Sequence, residues 1–172
     1  STAVLVQTKP QIPAALTNNG PLCEGDSLSI VAPSIANVSY SWIGPNGFVS
    51  TANPVIINPV NTLSHQGAYG LSVTDNTTGC SSDKEFTLVS VNQLPDVSMV
   101  QNNSPVCEGA LLNLSVPQVF GASYTWTSPS GLSSTTNELN INAATSTDVG
   151  TYNLSVAVSG CTVDSVSYTH LT

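Results

Sequence analysis

Four cysteines in two matched pairs have the most distinctive chemistry in this sequence. Cys23 stands in Pro-Leu-Cys-Glu-Gly and returns as Cys107 in Pro-Val-Cys-Glu-Gly, while Cys80 follows a glycine and returns as Cys161. Thiols of this kind either bind a metal or form disulfides. Two cysteines per repeat, without Cys-x-x-Cys and with two histidines in the chain, argue against zinc. The pattern therefore predicts disulfides and an oxidising, extracytoplasmic compartment.

The matched positions also predict how the cysteines pair. A duplicated unit most simply closes on itself, which gives the bridges Cys23–Cys80 and Cys107–Cys161, one intradomain disulfide per repeat. Four cysteines also allow other pairings. Each predicted bridge would close a loop of about 55–58 residues and contribute about 4 kcal/mol in the chain-entropy model. Small domains often carry such a staple because their cores are small.

The remaining reactive side chains do not form a recognisable active site. His65 and His170 are the candidates for general-base chemistry near neutral pH. No motif places a serine or cysteine nucleophile beside either of them, and Gly-x-Ser-x-Gly is absent. The ten acidic residues are scattered through turns and offer no distinctive pair for glycoside hydrolysis. We therefore predict no catalytic residue, no cofactor, no metal ligand and no enzymatic activity.

Charge and hydropathy argue against two further classes of function. The chain of 172 residues has two basic residues, Lys9 and Lys84, against ten acidic ones, for a net charge of −8. A nucleic-acid binder needs clustered Lys and Arg to displace counterions from phosphates, so we expect no nucleic-acid partner. No apolar run is long enough to span a bilayer, so we expect no membrane insertion.

The segments that carry these residues occur twice. Motifs of the first half return about 80 residues later, a distance that fits a small domain and is too long for a solenoid repeat. The matched segments are 21–25 with 105–109, 40–42 with 124–126, 45–47 with 129–131, 67–73 with 150–156, and 79–80 with 160–161. We therefore predict two domains, at residues 8–92 and 93–172.

Short runs of β-branched residues separated by turn clusters predict that both domains are all-β sandwiches without a helix. Val38–Ile43, for example, alternates polar and apolar residues as a half-buried strand does. Residues 1–7 also fit the repeat, because they match a last strand near residues 87–91. We predict that they end a preceding module or donate a strand to a neighbouring copy.

The spacing of tryptophan and tyrosine resembles that of immunoglobulin-like domains. That family has a core tryptophan on the third strand and a tyrosine corner at the start of the sixth. The resemblance assigns these core and corner roles to Trp42, Tyr69, Trp126 and Tyr152. The family's Asp-x-Gly-x-Tyr turn stands at Asp148, and His65 replaces the aspartate in the first repeat, where we expect it to make a turn hydrogen bond. The cysteines depart from the family, whose two core positions are apolar here.

The order Cys-Glu-Gly, Tyr-x-Trp-x-x-Pro-x-Gly, Gly-x-Tyr-x-Leu-x-Val and Gly-Cys looks like the tandem Ig-like and PKD-like modules of Bacteroidota surface proteins. The resemblance implies export by the type IX pathway, attachment to the cell surface and a role in adhesion, gliding or polysaccharide handling. Asp26-Ser27-Leu28 and Asp164-Ser165-Val166 are similar to the O-glycosylation motif of that group, which makes Ser27 and Ser165 candidate glycosylation sites.

Together these features predict two tandem immunoglobulin-like β-sandwich domains that act as a non-catalytic segment of an extracellular bacterial adhesin, stalk or filament. The expected partners are neighbouring Ig-like modules or other copies of the chain, joined by strand addition, with surface glycans as further candidates. The alternative function is a polysaccharide-binding accessory module of a secreted enzyme. In that case Trp42 and Trp126 would be exposed platforms for sugar rings instead of core residues.

Overall fold

The computed structural model describes residues 4–169 and divides the chain into two compact units, Ser1–Gln93 (unit 1) and Leu94–Thr172 (unit 2). Strands dominate both units, so the prediction of an all-β protein is confirmed. No helix in the described part of the chain combines the length and the hydropathy needed to cross a membrane. One short α-helix, Thr62–His65 (α1), and two single-turn 3-10 helices, Pro45–Gly47 and Ser146–Asp148, depart from the expectation of none.

Unit 1 consists of two main sheets and a short parallel pair. The first sheet has the order β1-β3-β6, the second has the order β5-β4-β7-β8, and β2 pairs in parallel with β9. The described strands are β1 (Thr17–Asn18), β2 (Leu22–Cys23), β3 (Leu28–Val31), β4 (Val38–Ile43), β5 (Val49–Ser50), β6 (Val55–Ile57), β7 (Gly67–Asp75), β8 (Glu85–Val89) and β9 (Val91–Asn92).

Unit 2 repeats both main sheets. The orders are β10-β11-β14 and β13-β12-β15-β16, and every pairing within them is antiparallel. The described strands are β10 (Gln101–Asn102), β11 (Leu112–Ser115), β12 (Ser123–Thr127), β13 (Ser133–Ser134), β14 (Glu138–Ile141), β15 (Gly150–Val158) and β16 (Cys161–Thr169).

Alternation along the strands explains why each unit has one apolar core. Successive side chains of a strand point to opposite faces, so in β12 Tyr124 and Trp126 are buried while their neighbours are exposed. The same pattern runs through β3 and β11. The buried residues form one cluster per unit, centred on Trp42, Tyr69 and Leu71 in unit 1 and on Trp126, Tyr152 and Leu154 in unit 2.

The predicted intradomain disulfides are wrong. Cys80 and Cys107 are free thiols, and Cys23 and Cys161 are the disulfide-bonded cysteines. The reason is the direction of the strands in each unit. The two cysteines of each unit lie at opposite ends of its sandwich. Strands rise about 3.3 Å per residue, so these ends are farther apart than the roughly 7 Å between Cα atoms that a disulfide allows.

In unit 1 these opposite ends are set by β8 and β9. Cys23 pairs with Asn92, the last residue of β9. Cys80 precedes β8. Its carbonyl oxygen accepts a hydrogen bond from the backbone N–H of Asp75, at the far end of β7. The strand segment between them corresponds to roughly 23 Å. In unit 2, Cys161 pairs with the last residue of β15, whereas Cys107 belongs to a turn beside the start of that strand.

The beginning of the chain is exposed where it is described. Residues 4–7 form no strand, and Val4, Leu5 and Val6 are 88%, 80% and 85% exposed. Residues 1–3 of the predicted terminal strand lie outside the described residues. Strand addition by residues 1–7 therefore remains a proposal about a partner.

Candidate functional site

Two tyrosine corners fix the start of the long strands β7 and β15. The hydroxyl of Tyr69 donates to the carbonyl oxygen of His65 at 3.1 Å, and the hydroxyl of Tyr152 donates to that of Asp148 at 2.8 Å. Both tyrosine rings are fully buried. Burial raises the pKa of Tyr69, since the phenolate is disfavoured away from water. These side chains therefore act as structural anchors.

His65 and Asp148 perform the same task in the two units. The backbone N–H of Asn61 donates to Nδ1 of His65 at 3.0 Å, and that of Thr145 donates to Oδ2 of Asp148 at 3.0 Å. Each bond closes the single turn before the tyrosine corner. The imidazole of His65 therefore already serves as a structural acceptor, and His170, the other histidine, lies outside the described residues.

Asp148 is the more deeply embedded of these two groups. Its side chain is 7% exposed, and Oδ1 accepts a hydrogen bond from Ser130 at 2.9 Å. The hydrogen bond from the Thr145 backbone holds the pKa of the Asp148 carboxyl below its ordinary value, with smaller contributions from the side chains of Ser130 and Thr145, while partial burial opposes the shift. A charged carboxylate is thus part of the fold of unit 2.

The two tryptophans are core residues in the structure. Trp42 is 1% exposed and Trp126 is 0% exposed. Each indole Nε1 is buried without a hydrogen-bond partner among the described residues. Neither ring has a face free for a sugar, which removes the residues on which the polysaccharide-binding alternative was based.

The Cys-Glu-Gly turns of the two units share two backbone hydrogen bonds. The N–H of Gly25 donates to the carbonyl oxygen of Val60 at 2.8 Å, as Gly109 does to Ala144. The residue three positions after each cysteine donates back to the cysteine carbonyl, at 3.1 Å to Cys23 and 3.0 Å to Cys107. The backbone of the turn is therefore alike around a bonded cysteine and a free one, although the Cys23 N–H also donates to Oδ2 of Asp26 at 2.8 Å and unit 2 has Ala110 at that place.

Glu24 adds a contact that unit 2 lacks among its described bonds. Its Oε1 accepts hydrogen bonds from the backbone N–H and the hydroxyl of Thr62, at 3.1 and 2.7 Å, at the start of α1. These bonds lower the pKa of the Glu24 carboxyl. The recurring glutamate of this turn is thus structural in unit 1.

A pair of adjacent asparagines in each unit was missed from the sequence. The backbone N–H of Ser29 donates to Oδ1 of Asn19 at 2.8 Å, and Nδ2 of Asn19 donates to the Ser27 carbonyl at 2.9 Å. Asn103 makes the corresponding bonds to Asn113 and Leu111, at 2.8 and 3.0 Å. The recurrence of Asn-Asn-x-Pro before each Cys-Glu-Gly was the available signal.

The outer face of the four-stranded sheet in unit 1 has one apolar row. The row crosses the face through Val49, Ile43, Gly70 and Phe86, which are register partners on adjacent strands. Val49 and Phe86 are 73% and 59% exposed. The Phe86 ring covers Gly70 so closely that a Cβ there would lie 2.6 Å from Cε1 of the ring. Leu88, 74% exposed, extends the apolar surface.

The corresponding row of unit 2 is mostly polar. It runs through Ser133, Thr127, Asn153 and Val166, again as register partners. Val166 occupies the place of Phe86. The next row contains hydroxyl groups in both units, at Ser41 and Ser72 in unit 1 and at Thr125 and Ser155 in unit 2. Exposed apolar patches mark interaction sites more often than isolated apolar residues do, so the two units differ in the apolar surface that this sheet face exposes.

The other predicted positions have mixed surroundings. Ser27 is exposed in the loop before β3, whereas Ser165 is half-buried within β16 opposite Leu154. Asp75, which is not one of the predicted site residues, accepts hydrogen bonds from the N–H groups of Thr77 and Thr78, both at 2.8 Å. Residues 4–169 contain no group of three or more His, Cys, Asp or Glu side chains arranged to hold a metal ion.

Comparison with solved structures shows the fold. The chain is similar to the N-terminal eight Ig domains of Down Syndrome Cell Adhesion Molecule, with a TM-score of 0.69 and 18% identity over 87% of this chain and 22% of that one. It is also similar to the I67–I69 fragment of titin, with a TM-score of 0.51 and 12% identity over 92% of this chain and 66% of the fragment. No protein-family model matches the sequence. No curated protein matches it either. The fold is therefore immunoglobulin-like, as predicted.

Proposed function

We propose that this chain is a non-catalytic structural segment of an extracellular bacterial surface adhesin, stalk or filament, built from two tandem immunoglobulin-like domains. The observation that carries the proposal is the use of the reactive and polar side chains. His65, Asp148 and Glu24 are engaged in turn hydrogen bonds. The turn bond of His65 and Asp148 and the tyrosine corner recur in both units, as expected for a repeated load-bearing module rather than for one active site.

Other features support a location outside the cytoplasm. Disulfide-bonded cysteines occur in oxidising compartments. The surface carries few charges, with two basic residues in the whole chain, and much of its polarity comes from Ser, Thr and Asn. The bacterial lineage and type IX export come from the sequence resemblance, and Ser27, which is exposed, is the better placed of the two O-glycosylation candidates.

Surface labelling of the source cells tests this proposal. An antibody against the chain should label intact cells, and limited proteolysis of intact cells should remove the label. A cytoplasmic marker protein should stay protected in the same cells. Labelling that requires permeabilisation would overturn the proposal. Hydrolysis of an ester or glycoside panel that is lost in His65→Ala would overturn the non-catalytic assignment.

A polysaccharide-binding role has the exposed Phe86 on the outer sheet face in its favour, and Phe120 is a second exposed ring, in a turn of unit 2. Aromatic rings on flat exposed surfaces can pack against the apolar faces of other molecules. Glycan binding that is lost in Phe86→Ala and kept in Val166→Ala, the equivalent position of unit 2, would support this second function. Equal binding by both variants would place the glycan elsewhere.

A further inference from the structure

We propose that the free cysteines Cys80 and Cys107 are complementary halves of a disulfide that links one copy of this chain to the next, head to tail. The structure contains two kinds of cysteine, one in the Cys-Glu-Gly turn and one after the Gly of the last hairpin. One cysteine of each kind is disulfide-bonded and one of each kind is free. The repeat therefore supplies an internal comparison in which both positions form bonds.

In unit 1 the two kinds lie at opposite poles. The chain enters the sandwich at the pole where Thr17 pairs with Val31, and Cys80 belongs to that pole, beside the end of β7. Cys23 belongs to the pole where β9 ends. We call the end of a unit where the chain enters its incoming pole and the end where the chain leaves its outgoing pole. The bonded cysteine of unit 1 is thus at its outgoing pole, and the free one is at its incoming pole.

In unit 2 the states are reversed. The chain enters where Gln101 pairs with Ser115, and Cys161, which pairs with Val158, belongs to that pole. Cys107 belongs to the opposite pole, where Gly109 donates to Ala144. Here the incoming cysteine is bonded and the outgoing one is free. One outgoing cysteine and one incoming cysteine are bonded, and one of each remains for another copy.

Local structure gives the free cysteines the same backbone setting as their bonded equivalents. Cys80 and Cys161 both follow a glycine with positive φ, +72° at Gly79 and +82° at Gly160. The Cys-Glu-Gly turns share two backbone hydrogen bonds, as described above. Cys107 is exposed and Cys80 is partly exposed, so both thiols are open to a reaction partner.

Bond formation requires an oxidant, for which a small-molecule disulfide such as glutathione disulfide is sufficient. The thiolate of one cysteine attacks glutathione disulfide, forms a mixed disulfide and releases one glutathione thiolate. The cysteine of the second copy then attacks the protein sulfur of that mixed disulfide and releases the second glutathione. Two protein thiols are oxidised, and one glutathione disulfide is reduced to two glutathione thiols.

Mixing two single variants tests the pairing. Cys80→Ser retains the free thiol of Cys107, and Cys107→Ser retains that of Cys80. With glutathione disulfide present, the mixture should give a disulfide-linked heterodimer, while each variant alone should remain monomeric on a non-reducing gel. Under the same conditions the unsubstituted chain should give a ladder of oligomers, and the double variant should give none.

Mass spectrometry of the non-reduced heterodimer identifies the bond. The expected product is a peptide pair that joins Cys80 to Cys107, with Cys23 and Cys161 still protected from alkylation. Homodimers formed as readily as the heterodimer would overturn the proposal, because they would show that any exposed thiol pairs. Glutathione adducts without dimers would overturn it as well. Circular dichroism spectra matching the unsubstituted chain establish that the variants are folded.

Discussion

The hydroxyl of Tyr152 donates a buried hydrogen bond to the carbonyl oxygen of Asp148, four residues earlier, at 2.8 Å. The carboxylate of Asp148 meanwhile accepts from the Thr145 backbone. One short segment thus ties the strand to its preceding turn through both a side chain and a carbonyl oxygen. The stability of this corner can be dissected by single substitutions.

Removing the tyrosine hydroxyl should destabilise unit 2. Tyr152→Phe leaves the ring in place and deletes one hydrogen bond, which costs about 1 kcal/mol. Urea unfolding followed by circular dichroism measures the loss, and Tyr69→Phe should give a similar loss in unit 1. An unchanged unfolding midpoint in both variants would show that the corners do not contribute to stability.

Acid should remove the contribution of Asp148. Its pKa is lowered in the folded state, so the ionised carboxylate stabilises the fold above the unfolded pKa of about 3.9, and that stability is lost as the pH falls through the lower folded value. Asp148→Asn should therefore be less stable than the unsubstituted chain at neutral pH, with the difference shrinking below about pH 4.

Unfolding measured across pH tests this, with Asp164→Asn as the control because that carboxylate is exposed. A difference that stays constant down to the lowest pH would contradict the role of the charge.

Replacing the histidine of unit 1 by the residue of unit 2, His65→Asp, should be tolerated, since a carboxylate can accept the same hydrogen bond from Asn61.

Gly67 has a backbone that other residues rarely adopt, and it also lacks space. Its φ is +138°, and a Cβ would lie 2.9 Å from Cγ of Pro45. Gly67→Ala should therefore cost more than Gly47→Ala, where φ is +76° but no atom lies within 4 Å. The control should lose about 1–2 kcal/mol from the left-handed conformation alone. Equal losses in urea unfolding would show that contact with Pro45 is unimportant.

Tryptophan fluorescence should be insensitive to ligands. Trp42 and Trp126 are buried, so we expect blue-shifted emission, weak quenching by acrylamide and no change on titration with soluble glycans. Phe86→Ala should leave the spectrum unchanged, because Phe86 lies on the outer face of its sheet. Glycan-dependent quenching would show that a tryptophan ring becomes accessible.

Much of this fold follows from local pattern. Val38–Ile43 was predicted as a strand and has those bounds as β4, because alternation there matches one buried face. The Ig-like fold was implied by the resemblance of the tryptophan and tyrosine positions to those of immunoglobulin-like domains. The turn bond of His65 was expected from the aspartate at the equivalent position, and its acceptor atom, Nδ1, became visible only in the structure.

The cysteine pairing could not be predicted from symmetry, because pairing depends on which end of a strand each cysteine reaches. The two cysteines of a unit lie near opposite ends of its sandwich, so they are far apart although they belong to the same unit. The clasp made by Asn19 was missed for another reason: asparagines are common in turns, and only the three-dimensional path of Ser27–Ser29 shows what this side chain binds.

The unequal outer sheet faces have a consequence for valency. Phe86 and its apolar row occur in unit 1, and their place in unit 2 is taken by Val166 and polar neighbours. A polymer of this chain would therefore present one such apolar row for every two units. If each row binds a surface weakly, linking copies converts later contacts into intramolecular ones, and avidity grows with the number of chains.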